Sequence, residues 1–121
     1  MKVAVDLDAT ITAYPLFFKV FTSAMIKSGC QVHIVTDRPP GTEDKVKELL
    51  AEYGIKYDKI MITRNKGQYI REQGIEVLFD DTDEYFLDLP EEIAVFKVRQ
   101  HYNFDFHENK WLFSDRTGKK V

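Results

Sequence analysis

The chain has 121 residues, with 17 Lys/Arg against 20 Asp/Glu, a net charge of −3, 44% apolar residues and one cysteine. That length supports one domain with a real core and excludes two, and no run nears the ~20 apolar residues that span a bilayer, so no membrane partner is expected. The charge balance excludes wholesale attraction to nucleic acid or an anionic membrane and leaves only local basic residues as a route to such partners. Cys30 cannot close an internal disulfide and no signal peptide is apparent, which together predict a reducing, cytoplasmic setting. Cys30 itself opens an apolar run and reads as a small core residue.

Val3-Ala4-Val5 lacks polar alternation and predicts a buried strand. Pro15 to Ser28 predicts a helix. Lys19, Ser23 and Lys27 would be its wet stripe, and Phe17, Val20, Phe21, Ala24 and Met25 its apolar face. Pro15 suits the first turn and Gly29 the stop. Gln31 to Val35 is the second strand. Arg38-Pro39-Pro40-Gly41 breaks the pattern, after which Thr42 can cap a second helix carrying Val46, Leu49, Leu50 and Tyr53 at i, i+3, i+4, i+7 and ending at Gly54. Tyr57 to Ile62 is the third strand, and Asn65 or Thr63 caps a short helix running to Gln73. Ile75 to Phe79 is the fourth strand. Asp83 to Leu87 is a helical turn or two, capped by Thr82, and Ile93 to Val98 is the fifth strand. His33, inside an apolar strand, reads as a packed residue. Residues 99–113 suggest an aromatic hairpin that packs against the sheet edge or a second subunit, with substrate stacking as the other use, and Arg116 to Val121 reads as a frayed tail.

Strand and helix alternate five times, which predicts an α/β three-layer sandwich with a mostly parallel, Rossmann-like sheet in one domain over residues 1–121: a core of 1–98 and an extension of 99–121. In such sheets ligands bind at the carboxyl ends of the strands, so the polar residues that follow each strand are expected to form one site. They are Asp6, Asp8 and Thr10 after the first strand; Thr36, Asp37 and Arg38 after the second; Thr63, Arg64, Asn65 and Lys66 after the third; and Asp80, Asp81, Asp83 and Glu84 after the fourth. This much negative charge in one cleft calls for a cation, and oxygen ligands without His or Cys favour Mg²⁺. Asp83 and Glu84 fit a helix start better than metal binding. Arg38 is placed to meet a second anionic group of a substrate. Lys66, opening a helix beside the fourth strand, is preferred over Lys59, which lies inside the third strand.

This set of residues resembles the haloacid dehalogenase superfamily of phosphatases and phosphotransferases. Val3 to Ile11, with Asp6-Leu7-Asp8-Ala9-Thr10 at its centre, is similar to the first motif of that family; Ile34-Val35-Thr36 is similar to the second, Lys66 to the third and Leu78-Phe79-Asp80-Asp81 to the fourth. Ala9 departs from the glycine commonest there. The resemblance implies that Asp6 is a nucleophile forming an aspartyl-phosphate and that Asp8 is a general acid and base. It implies Mg²⁺ held by Asp6, the carbonyl of Asp8, Asp80 and Asp81, and phosphoryl oxygens held by Thr36 and Lys66. Neither place where the family inserts a cap domain has room for one, so the chain resembles the capless branch. The expected function is a Mg²⁺-dependent phosphomonoesterase acting on a phosphorylated small molecule or the end of a larger one. A nucleotide or nucleic-acid-end phosphatase is the alternative, with nucleic acid possible but not favoured; a phosphoryl-accepting signalling domain or a non-catalytic binding domain is the alternative of another class. A homo-oligomer through the aromatic segment is a further expectation.

Overall fold

The computed structural model describes residues 1–121. Five strands, β1 (Lys2–Val5), β2 (Gln31–Thr36), β3 (Lys59–Ile62), β4 (Val77–Asp80) and β5 (Ala94–Lys97), form one sheet in the order β3-β2-β1-β4-β5. Every pairing in it is parallel, so the mostly parallel expectation sharpens to an all-parallel sheet. The strand order reverses direction at β1, between β2 and β4, and a ligand crevice forms at such a switch point beyond the carboxyl ends of the strands.

Successive strand residues face opposite sides of the sheet, and the core divides accordingly. Val3, Val5, Val32 and Ile34 join Leu7, Ile11, Phe18, Val46, Leu50 and Ile55 under α1 (Pro15–Lys27) and α2 (Glu43–Tyr53). On the other face, Ala4, Val35 and Leu78 pack with Tyr69, Ile70 and Ile75 against α3 (Lys66–Gln73). These are the three layers. α2 and α3 end at Gly54 and Gly74, whose φ of 68° and 67° turn the chain left-handed, a conformation that costs a side chain and costs glycine nothing.

Two local expectations are corrected. In α1 the buried residues are Phe18 and Thr22, with Phe21 and Met25 partly buried; Phe17 and Val20 are exposed, as is Ala24. The helix is rotated from the sequence reading because Phe18 and Phe21 both reach Phe79 of β4, their rings 5.8 and 4.9 Å from it. The sequence cannot show which ring has a partner across the layer. Thr42 is not a side-chain cap either: its hydroxyl donates to the carbonyl of Pro39 at 2.7 Å, which closes the loop before α2.

After β5 the chain makes the aromatic hairpin foreseen, with β6 (Phe104–Asp105) and β7 (Lys110–Trp111) antiparallel. It is not packed into the sheet edge: Tyr102, Phe106, Trp111 and Phe113 are all exposed. Residues 116–121 are not a frayed tail. Phe113 and Val121 exchange backbone hydrogen bonds, Ser114 bridges Lys120, and the Asp115 carboxylate accepts from the backbone of Thr117 and Lys119. This return carries the C-terminus back across the carboxyl edge of the sheet. No helix is long and apolar enough to cross a membrane.

Candidate active site

β1 ends at Val5, and Asp6 follows it as a buried residue 5% exposed. The next residues, Leu7–Ile11, make an irregular helical turn in which Asp8 is extended and Ala9 is left-handed at φ 58°. The kink lets Asp6 stay at the strand tip while Asp8 swings to the mouth. A left-handed alanine is strained, which gives a physical reason for glycine at this position. Here the loop is held from both sides: the Ala9 N–H donates to Thr12 Oγ1 at 2.9 Å, and the Ala9 carbonyl accepts from Gln100 Nε2 at 2.7 Å.

Lys66, the first residue of α3, is 1% exposed, and its ammonium donates to Asp6 Oδ1 at 2.9 Å and to Asp80 Oδ2 at 2.7 Å. Asn65 sets that helix start by accepting from the Gln68 N–H, while Thr63 Oγ1 accepts from the Asn65 N–H, so the two alternative caps work in series. Lys59 is exposed at the start of β3, as expected. The Tyr85 ring covers Lys66, with the ammonium 4.2 Å from its centroid, and its hydroxyl donates to Asp37 at 2.6 Å. Thr82 does not cap the 3₁₀ turn Asp83–Phe86; its N–H instead donates to Asp80 Oδ1 at 2.9 Å, pinning that carboxylate.

Asp6, Asp80 and Asp81 each offer an oxygen, and these oxygens lie within 4.8 Å of one another. Burial raises Asp6 well above the usual carboxylate range even against the pull of Lys66, and a hydrogen bond shared with Asp81 raises it further. Asp81 is raised by burial as well. Burial, then the charge of Asp6, pushes Asp80 up to about 6 despite Lys66 and the Thr82 N–H. Lys66 loses by its own burial, but Asp6 and Asp80 more than offset this and hold it charged. Three carboxylates face one ammonium here, so the cluster is short of positive charge. An all-oxygen donor set of this kind fits a hard divalent cation, and the three aspartates could hold a metal ion. Thr36, at the end of β2, lines the same cavity of about 200 Å³, and its buried hydroxyl has no hydrogen-bond partner.

Asp8 is not part of this floor. Its side chain is 54% exposed and pairs with Arg38, which reaches it at 2.8 and 3.0 Å through two nitrogens. Arg38 therefore meets an acid of the protein itself. Asp83 and Glu84, doubtful as metal ligands from the sequence, have other partners: Lys97 holds Asp83 at 2.9 Å and Arg116 holds Glu84 at 3.0 Å. Arg64 pairs with Asp37 at 3.2 Å.

The structure thus brings Asp6, Thr36, Lys66, Asp80 and Asp81 to one cleft and places Asp8 and Arg38 at its mouth. It adds residues that sequence reasoning missed. Ser114 is 4% exposed; its hydroxyl accepts from Lys97 at 2.8 Å and donates to the Asp81 carbonyl at 3.0 Å, and its N–H donates to Asp83 at 2.8 Å. Lys97 also donates to the Asp81 carbonyl. This network fixes the backbone of Asp81 from the C-terminal return. Asp115, Arg116 and Gly118 line the same cavity as Asp6 and Thr36. No local signal marks these positions, and from Arg116 onward the sequence alone reads as a frayed tail.

No family model and no curated protein matches the sequence. Among solved structures, a chain of the Pnkp1/Rnl/Hen1 RNA repair complex is similar, with a TM-score of 0.62 at 17% identity, over 80% of this chain and 42% of that one. The likeness speaks for the α/β fold, and this chain spans under half the length of the one it matches.

Proposed function

We propose that this protein is a Mg²⁺-dependent phosphomonoesterase of the haloacid dehalogenase type. The observation that carries the reading is the floor of the cleft: a buried Asp6 between Lys66, Asp80 and Asp81, with the unpartnered Thr36 hydroxyl in the same cavity and Asp8 two residues along at the mouth. Asp6, Asp80 and Asp81 would hold the ion, together with the Asp8 carbonyl; when bound, it neutralises the repulsion between a carboxylate nucleophile and an anionic phosphate.

The chain's own residues account for the remaining steps. Asp6 attacks phosphorus, the bond from phosphorus to the leaving oxygen breaks, and Asp8 gives that oxygen its proton. Asp8 then takes a proton from water, whose oxygen attacks phosphorus and releases Asp6 and inorganic phosphate. Lys66 and the Thr36 hydroxyl offset charge on the phosphoryl oxygens. For Asp8 to act, Arg38 must give up its pair; that pair is exposed and costs little to open. A general acid and base two residues after the nucleophile favours turnover over storage, which argues against a signalling receiver.

The cleft carries no cap, which suits a bulky substrate or the end of a larger molecule. A nucleic-acid-end phosphatase is the second reading, favoured by the fold likeness to a chain of an RNA repair complex. The setting proposed from the lone Cys30 is the cytoplasm. The test is a screen of phosphorylated metabolites and end-phosphorylated oligonucleotides with and without Mg²⁺. Turnover that stops on chelation and returns with Mg²⁺ is expected; full activity after exhaustive chelation overturns the metal role.

A further inference from the structure

Residues 99–121 differ in character from the rest. They hold five Lys/Arg against three Asp/Glu, whereas residues 1–98 hold 12 against 17. The exposed rings also gather here, with Tyr102 60%, Phe106 73% and Trp111 45% exposed. Two of the rings carry a cation over one face: the Arg99 guanidinium lies 4.8 Å from the Trp111 ring centre and the Lys120 ammonium 3.4 Å from that of Tyr102. Phe104 packs edge-on against both Trp111 and Phe106, at 5.0 and 4.8 Å, which stiffens the hairpin that presents them.

This surface is joined to the cleft at both ends. At its start, the Arg99 carbonyl accepts from Tyr14 Oη and Gln100 bonds the carbonyl of Ala9, the residue after Asp8. At its end, Asp115, Arg116 and Gly118 line the cavity that holds Asp6. A ligand lying on the hairpin would have its end at the catalytic mouth.

We propose, on the basis of the phosphatase reading above, that the hairpin and its return form a platform for single-stranded nucleic acid that presents a terminal phosphate to the Asp6 cleft. Exposed rings with cations among them suit a chain of bases and phosphates: Phe106 and the uncovered faces of Trp111 and Tyr102 are open to bases, and the cations are open to the backbone. Bases stack on aromatic faces with little regard to sequence, and Lys and Arg take the backbone. Unpaired bases are required, because only a splayed base offers its face to a ring. A second copy of this chain is the weaker occupant. A two-fold contact would set the same basic segment against itself, whereas a polyanion complements it.

The test uses the full chain and 10-nucleotide single strands carrying a 5′-phosphate, a 3′-phosphate or neither. Fluorescence anisotropy reads binding, and p-nitrophenyl phosphate serves as the small comparison ester. Wild-type protein is expected to bind a strand with log K falling against log salt at a slope of roughly −2, as for about three phosphate contacts. Trp111→Ala and Phe106→Ala are each expected to weaken binding roughly tenfold. They should lower kcat/KM for the phosphorylated strand relative to the small ester by a similar factor. Lys120→Gln is a second probe that leaves the rings in place, and it should flatten the salt slope by about one contact. The 5′ and 3′ arms show which end is presented. Strand binding that is absent, or indifferent to all three substitutions with melting temperature unchanged, overturns the platform. So does a sedimentation shift from dimer to monomer in the ring variants without any loss of strand affinity. Failure to turn over either ester overturns the phosphatase reading instead, and the binding arm still judges the platform.

Discussion

At the floor of the cleft, Lys66 is 1% exposed and holds Asp6 and Asp80 at 2.9 and 2.7 Å; at the rim, Arg38 holds Asp8 at 2.8 Å with the carboxylate 54% exposed. Both are acid–cation pairs within one site, but water separates their behaviour. In the floor, loss of solvent outweighs the single ammonium and leaves Asp6 and Asp80 with raised pKa values. Removing Lys66 would leave its two buried carboxylates without a counter-charge, at a cost of about 3–5 kcal/mol. At the rim, solvent competes for both partners and such a pair is worth about 0–1 kcal/mol. The floor is therefore set for groups that must stay put. The rim suits a group that must change partner, which is what the proposed general acid and base role asks of Asp8.

The sharpest way to break this contrast is Asp6→Asn. The amide keeps the shape but is a poor nucleophile, so kcat on p-nitrophenyl phosphate should fall more than about a thousandfold with circular dichroism unchanged. A variant with wild-type kcat would remove chemistry from the floor. Asp8→Asn should cost roughly 10²–10⁴-fold in rate. Unlike Asp6→Asn, it should accumulate a phosphoenzyme, because hydrolysis needs the base; acid quench with labelled substrate reads this. Accumulation in the Asp6 variant but not the Asp8 variant would exchange their roles.

A pH series on metal-free protein tests the floor directly. Asp80, at about 6 in the fold, lies above its unfolded value, so the folded state binds more protons than the unfolded between the two. Its contribution is present at low pH and is lost as pH rises through about 6, and Asp6 and Asp81 act in the same direction. The melting temperature should therefore rise by several degrees on going from about pH 8 to pH 5.5, and Mg²⁺ should stabilise more at the higher pH, where the carboxylates are ionised. A metal-free melting temperature that is flat across this range would place the floor in ordinary solvent.

Ser114→Ala removes a hydroxyl that bonds both Lys97 and the Asp81 carbonyl. It should cost about 1–3 kcal/mol of stability by urea titration and weaken Mg²⁺ binding several-fold by calorimetry, with Ser114→Thr recovering part of both. Unchanged Mg²⁺ affinity would separate the return from the carboxylate floor. The smallest effect is expected for Arg116→Ala at the rim, where solvent already competes for the pair: little change in melting temperature and a few-fold rise in KM. A loss as large as that of Ser114→Ala would mean that the rim is built like the floor.

The floor was legible before the fold was known. Asp6, Thr36, Lys66, Asp80 and Asp81 each follow a strand or open a helix, and a parallel sheet brings strand tips to one edge whatever the loops do. Apolar runs place the strands, and Gly54 and Gly74 mark helix ends, because these signals act over a few residues. The rotation of α1 depended on Phe79, which comes from another layer. Asp83, Glu84 and Arg38 each found a partner that no local pattern names: Lys97, Arg116 and Asp8. The C-terminal return looked frayed because a polar segment carries no periodicity of its own. Its order comes from the Ser114 network and from hydrogen bonds to residues some thirty positions away, which only the closed fold supplies. Local chemistry determined the strands and the acids at their tips; tertiary structure alone decided which of those acids are buried, which are paired, and what walls the cleft, because desolvation and long-range pairing depend on neighbours distant in sequence.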